Sequence, residues 1–334
     1  MTQASSITAT VDFERDGKQH GFLKLPYSHD DSAWGSIMIP VTVVRNGEGP
    51  TALLTGGNHG DEYEGITSLF KLANSLQPEA IRGRVIIVPA MNYPAVQNGT
   101  RTSPIDQGNL NRSFPGDPVG SVTERIADYF QRYLVPLCDY ALDIHSGGRT
   151  LDIIPFAAAH RLDDPQQEAA CIEGARCFGA PNTMLLYELD AVSLYDTAVE
   201  SQGKVFVTTE LCGAGTSTPQ SIALAERGIQ NFLIFANIVR GKYVPPEEPT
   251  RMLEMPDASC YLQSEHRGLL EMCVELGQRV QAGQLIARIH SLDRTGEAPR
   301  EYRAQRDGIL ACRRHPALVG IGDTFAVLAA EITP

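Results

Sequence analysis

Between Ser6 and Val44 the apolar residues come in short runs, ITATVDF, GFLKLPY and SIMIPVTVV, broken by Gly, Asp and Asn, which predicts an antiparallel sheet edge. Thr51 to Gly56 reads as a buried strand that runs into GGNHGDEYEG. The period then changes: Ile66, Leu69, Phe70 and Ala73 share one face of a helix expected from Tyr63 to Leu76. A strand follows from Arg84 to Asn92, and a polar loop from Gln97 to Gly120. Ser121 with Glu124 three residues on is a capping-box pattern, and Val122, Ile126, Phe130, Tyr133 and Leu134 give the helix behind it an apolar stripe. Tyr140 to Ile144 predicts a strand ending at His145. Later come a helix near Pro165 to Phe178, a strand at Lys204 to Thr209, and a helix opened by Thr218 and Pro219 that continues towards Val239. Strands alternating with helices imply an α/β domain, a mixed sheet with helices on both faces.

The pattern breaks at 243–256, where VPPEEP and a further proline, Pro256, suit a stiff linker. Beyond it, RGLLEMCVELGQRVQAGQLIARIH and DGILACRRHPALVGIGDTFAVLAA each have the form of strand, glycine turn and strand. This pattern resembles the small all-β barrel-sandwich of lipoyl and biotinyl carrier domains. A carrier needs a lysine at its hairpin, and no lysine follows Lys242, so a structural or interaction role is expected. The expected organisation is a large domain over 1–242 with an N-terminal β extension, a linker over 243–256, and a β module over 257–334.

Composition narrows the partners. With 334 residues, 43% hydrophobic and 20% charged, the chain can bury a sizeable core and exceeds what one core usually organises. A formal charge of -12 repels phosphate backbones and acidic lipid, so nucleic acid and membrane are poor partners. The first residues lack a basic start and an apolar stretch, and no segment is apolar and long enough to span a bilayer, so a cytoplasmic location is the expectation. Seven scattered cysteines without a CxxC pair read as buried small hydrophobes, not a disulfide framework.

Candidate chemistry centres on His59 and Glu62 in GGNHGDEYEG, directly after a buried strand. An HxxE pair alone can arise by chance on a polar loop; here it is joined by His145, also at a strand end, in LDIHSGG. Two imidazoles and one carboxylate are the usual protein set for catalytic zinc, with the fourth position left to water. Such a water needs a carboxylate to take its proton, and Glu210 is the one acidic residue of its strand-end segment. Arg112 is suited to gripping a carboxylate in two parallel hydrogen bonds, and Arg101 to stabilising an oxyanion beside a metal. Asp61 and Glu64 are expected to be solvated or to lie behind the ligands. His160, His266, His290 and His315 are expected to be surface or structural residues, and Cys212, without a base beside it, a packing residue.

The motifs GGNHGDEYEG, NLNRSFPG, DIHSGG and TTELCGAG, with most of residues 45–240, resemble the succinylglutamate desuccinylase and aspartoacylase family, which shares the zinc carboxypeptidase fold. The resemblance implies one zinc per chain held by His59, Glu62 and His145. It implies a substrate carboxylate held by Asn111 and Arg112, a scissile carbonyl polarised by Arg101, and Glu210 as general base. At finer grain the whole chain resembles the ectoine-utilisation branch, which implies deacetylation of N-alpha-acetyl-L-2,4-diaminobutyrate. A cationic side chain would need an acidic subsite, for which Asp152, Glu188, Asp190 and Asp196 are candidates. The alternatives are a deacylase of N-acetylaspartate or N-succinylglutamate, which needs an extra cation in its pocket, and a non-catalytic metal- or ligand-binding protein, which has no need of Glu210. The expected partner is a small N-acyl amino acid, and a homo-oligomer is the expected assembly.

Overall fold

The computed structural model describes residues 4–187, 193–246 and 248–332. The chain opens with β1 (Thr8–Ala9), β2 (Gly17–Pro26) and β3 (Ser36–Asn46), an antiparallel ribbon that pairs onto the main sheet through β3. Then come β4 (Thr51–Gly56), α1 (Tyr63–Ser75), β5 (Gly83–Val88), α2 (Tyr93–Asn98) and α3 (Val122–Tyr129). The series continues with β6 (Tyr140–His145), β7 (Leu151–Ile153), β8 (Phe156–His160), α4 (Pro165–Phe178), β9 (Asn182–Leu186), α5 (Tyr195–Glu200), β10 (Val205–Glu210) and α6 (Pro219–Phe235). The last part carries β11 (Arg251–Met255), β12 (Tyr261–Gln263), β13 (Gly268–Met272), β14 (Arg279–Val280), β15 (Leu285–His290), β16 (Arg300–Arg303), β17 (Gly308–Arg314), β18 (Leu318–Val319) and β19 (Thr324–Glu331).

The sheet is mixed, in the order β1-β2-β3-β5-β4-β6-β10-β8-β9-β11-β19-β17-β14. Its centre, β5, β4, β6 and β10, is parallel, and β8 runs antiparallel to β10. Every residue of β4 and β5 is buried, as expected of strands covered on both faces. One apolar layer joins Leu53, Ile86, Ile126, Phe130, Tyr195 and Phe206; the opposite layer joins Leu54, Leu69, Ala175, Val207 and Phe232.

Several elements depart from the sequence reading. The strand expected to reach Asn92 stops at Val88, where Pro89 lacks the N–H a ladder needs, and the chain turns into α2. Phe70, expected on the buried face of α1, is 42% exposed, while Ile66, Leu69 and Ala73 are buried. Within 243–256, β11 adds parallel to β9 and antiparallel to β19, so the end of that segment belongs to the sheet instead of hanging as a tether. All seven cysteines are unpaired, and Cys177, Cys212 and Cys273 are half-buried instead of buried.

Candidate active site

Three strand ends build the site. The loop after β4 carries His59 and leads to Glu62, the residue that opens α1. His145 ends β6 and Glu210 ends β10, and because these strands are parallel with Glu210 opposite His145, both side chains emerge on one face. Close backbone approach is part of the construction: a Cβ on Gly60 would overlap the backbone of Ala95 in α2.

His59 Nδ1 lies 2.7 Å from Glu62 Oε1 and His145 Nδ1 lies 2.8 Å from Glu62 Oε2. The three residues are buried, and one donor atom from each falls within 4.8 Å of the others. The far nitrogens are occupied: His145 Nε2 is 2.7 Å from Asp143 Oδ2, and His59 Nε2 is 3.2 Å from Asn109 Oδ1. Asp143 is fixed in turn by the Thr55 hydroxyl at 2.7 Å and the Asn58 amide at 3.0 Å. Outer acceptors of this kind set a ligating histidine's tautomer and aim its other nitrogen inward. Burial would raise the Glu62 carboxyl, but the His59 and His145 imidazoles outweigh it and hold Glu62 well below the usual carboxylate range. Burial disfavours charge on His145, yet Asp143 and Glu62 raise it well above the ordinary imidazole value. Two imidazoles and a carboxylate, buried, oriented and surrounded by negative charge, suit a divalent cation of zinc type.

Glu210 is different. Burial, with Glu62 adding like charge, pushes its carboxyl up to about 8, and its Oε2 has no hydrogen-bond partner. Arg101 reaches the donor set, its Nη1 3.3 Å from His59 Nδ1 and 3.5 Å from Glu62 Oε1. Asn111 and Arg112 sit on a 3-10 turn, Leu110–Arg112, at the wall of the same cavity. Asn111 Oδ1 accepts the backbone N–H of Tyr195, and Arg112 is exposed with Nη1 donating to the Asn111 carbonyl. The cavity, of about 350 Å³, thus brings together the seven residues expected from sequence to bind metal or substrate or to act in catalysis, and Met255 and Tyr261 line it too.

Sequence reasoning missed the residues behind these. Asp143 stands two residues before His145 on the same face of β6, which is a readable signal; Asn109 was within a quoted motif. Asp61 and Glu64, expected in part as solvated, are both buried: Asp61 Oδ2 accepts the Arg149 N–H, shaping the glycine turn after His145. His160, expected as surface or structural, ends β8 inside the cavity, 2.9 Å from Glu200 Oε1 and 3.5 Å from Asp196 Oδ2. The other three histidines have partners away from the cavity: His266 with Tyr302, His290 with Glu271 and His315 with the Arg149 carbonyl. Burial pushes the Cys212 thiol up to about 11, which makes it a poor nucleophile.

The chain is similar to several known proteins. Residues 48–236 match the family described as the succinylglutamate desuccinylase/aspartoacylase catalytic domain. The N-alpha-acetyl-L-2,4-diaminobutyric acid deacetylase of Halomonas elongata is 66% identical over 325 residues, covering 97% of this chain and 95% of that protein. The product-bound structure of the ectoine utilization protein EutE (DoeB) from Ruegeria pomeroyi is 55% identical, with a TM-score of 0.96 over 98% of this chain and 100% of that one. A succinylglutamate desuccinylase structure from Silicibacter sp. is 54% identical, with a TM-score of 0.96 over 99% of this chain and 100% of that one. By motif, fold and near-complete coverage, the chain belongs to the succinylglutamate desuccinylase/aspartoacylase family.

Proposed function

We propose that this chain is a zinc-dependent deacylase of a small N-acyl amino acid, with N-alpha-acetyl-L-2,4-diaminobutyrate as its substrate and acetate and 2,4-diaminobutyrate as products. The observation that carries the chemistry is the buried His59–Glu62–His145 set with Glu210 in register beside it. The similarity to the Halomonas elongata deacetylase supports the substrate.

Zinc held by His59, Glu62 and His145 would supply Lewis acidity at the acyl carbonyl and lower the pKa of water there. Glu210 takes the proton of the attacking water and returns it to the nitrogen as the C–N bond breaks, so the acyl carbon gains the oxygen and the amine leaves neutral. A carboxyl whose affinity for protons is raised by burial is matched to both halves of that transfer, because it neither holds its proton too weakly to capture it nor too strongly to release it. Arg101 stabilises the negative charge that develops on the carbonyl oxygen. Asn111 and Arg112 bind the α-carboxylate at the cavity mouth.

The lining residues weigh against an acidic side chain on the substrate. Among the described residues the cavity wall offers two arginines, Arg101 and Arg112, and both already have tasks. We also infer that 257–334 forms a carrier-like β module without a lysine to modify, whose Tyr261 helps close the cavity. The test is turnover by the purified, zinc-loaded protein of N-acetyl amino acids with cationic, neutral and acidic side chains, alongside metal analysis. Cationic preference with about one zinc per chain is the expected result; preference for acetylaspartate, or full activity without metal, would refute it.

A further inference from the structure

We propose that Asp196 is the acceptor for the substrate's side-chain ammonium and so determines specificity within the cavity, an assignment that rests on the reading of the substrate as an N-acetyl diamino acid. Four carboxylates line the cavity among the described residues: Glu62, Asp143, Asp196 and Glu210. Glu62 lies between the two imidazoles, Asp143 orients His145, and Glu210 stands in register with His145. Asp196 is the carboxylate left over by the chemistry of bond cleavage. Of the other acidic candidates, Asp152 is committed elsewhere: its Oδ2 accepts both Nε and Nη2 of Arg313, at 3.0 and 2.8 Å, tying β7 to β17. Glu188 and Asp190 lie outside the described residues.

The surroundings of Asp196 are those of a held acceptor. It is the second residue of α5, its side chain is 14% exposed, and its Oδ1 accepts the Thr197 N–H at 2.6 Å. Its Oδ2 faces His160 Nε2, while His160 Nδ1 is fixed by Glu200 and its ring stacks on Phe206. His160 and Glu200 are positioning residues: they fix where the Asp196 oxygen stands. The helix is also linked to the carboxylate clamp, because Asn111 Oδ1 accepts the N–H of Tyr195, the residue preceding Asp196. One hydrogen bond therefore joins the helix that carries Asp196 to the turn that carries Asn111 and Arg112.

The test compares kcat/KM of the zinc-loaded full chain, wild type and Asp196→Asn, on Nα-acetyl-L-2,4-diaminobutyrate and on Nα-acetyl-L-norvaline, whose terminal methyl replaces the ammonium. The wild type should prefer the cationic substrate. Asp196→Asn keeps the shape but removes the charge, and should lose on the order of 100-fold on the cationic substrate, chiefly through KM, and far less on norvaline. A wild type with no cationic preference would overturn the substrate reading and the subsite together. Preference retained in Asp196→Asn would overturn the subsite alone, as would equal losses on both substrates in a folded variant. Should circular dichroism show that variant unfolded, Asp196→Glu, which keeps charge but shifts the oxygens, takes its place: a several-fold fall in preference supports the assignment, and an unchanged preference refutes it.

Discussion

His59, Glu62, His145 and Glu210 are four titratable side chains in one buried patch, yet their environments push them apart. Glu62 sits between two imidazoles and stays ionised; Glu210, a strand away, is pushed up to about 8 by burial. That separation suits one carboxylate to the proposed cation and the other to the proposed proton exchange. It also separates the expected consequences of mutation. His59→Ala or His145→Ala should lose metal and activity together, because two of three protein ligands do not hold a catalytic zinc. Glu210→Gln should retain the metal and substrate binding but lose about 100-fold to 10,000-fold in kcat, the usual worth of general acid/base catalysis. Metal analysis beside steady-state kinetics distinguishes the two classes; a Glu210→Gln enzyme that turns over normally would take Glu210 out of the mechanism.

Helix α1 shows how an element translates local sequence into site geometry. Gly65 lets it settle on β6, where a Cβ would stand 2.7 Å from the Cβ of Ile144. The close seating holds Glu62 against the imidazoles but also buries Glu64, whose carboxyl burial pushes up to about 7 against the opposing pull of the Ser146 and Ser221 hydroxyls. Its folded value lies above the ordinary glutamate value, so its neutral form favours folding at low pH and that contribution is lost as pH rises through about 7. Denaturant unfolding of the metal-free protein should therefore show wild type losing about 3 kcal/mol relative to Glu64→Gln between pH 4.5 and 8.5. Parallel pH profiles for the two proteins would contradict this. The elements carrying His59, Glu62, His145 and Glu210 were legible because His145 and Glu210 end strands, while His59 and Glu62 follow the buried strand β4 at a fixed spacing. The wall formed by β8, β9 and α5 was not: FAAAH is mostly alanine, with too little side chain to show a period, and His160 meets Asp196 and Glu200, 36 and 40 positions further along, only in the folded chain. Residue-level chemistry next to a strong strand is a local signal, whereas a cavity wall assembled from weak strands is a property of the packed fold.

At the scale of the whole molecule, composition suggested separate units, and the core runs across the expected boundary. Ile153, Phe156, Ala158, Met184 and Leu253 pack in one apolar cluster with Cys260, Ile309, Ala311, Val327 and Ala329, while β11 pairs with β9 on one side and β19 on the other. The Asp152–Arg313 ion pair spans the same junction, but at its partial exposure it contributes little beside the shared apolar surface. A tethered accessory unit would unfold independently; one that shares its core with the site-bearing strands cannot lose its packing without stripping Phe156 and Met184 of theirs. Ile309, 1% exposed in β17 and a member of that cluster, probes this coupling. Ile309→Ala should cost about 2 to 5 kcal/mol through lost burial and the cavity left behind. In a scanning calorimeter the variant is expected to give one transition displaced downward by several degrees, with hydrolytic activity lost across that same transition. Were the C-terminal strands thermodynamically separate, the mutation would split off an early transition through which activity survived, and the coupling inferred from the shared cluster would be wrong.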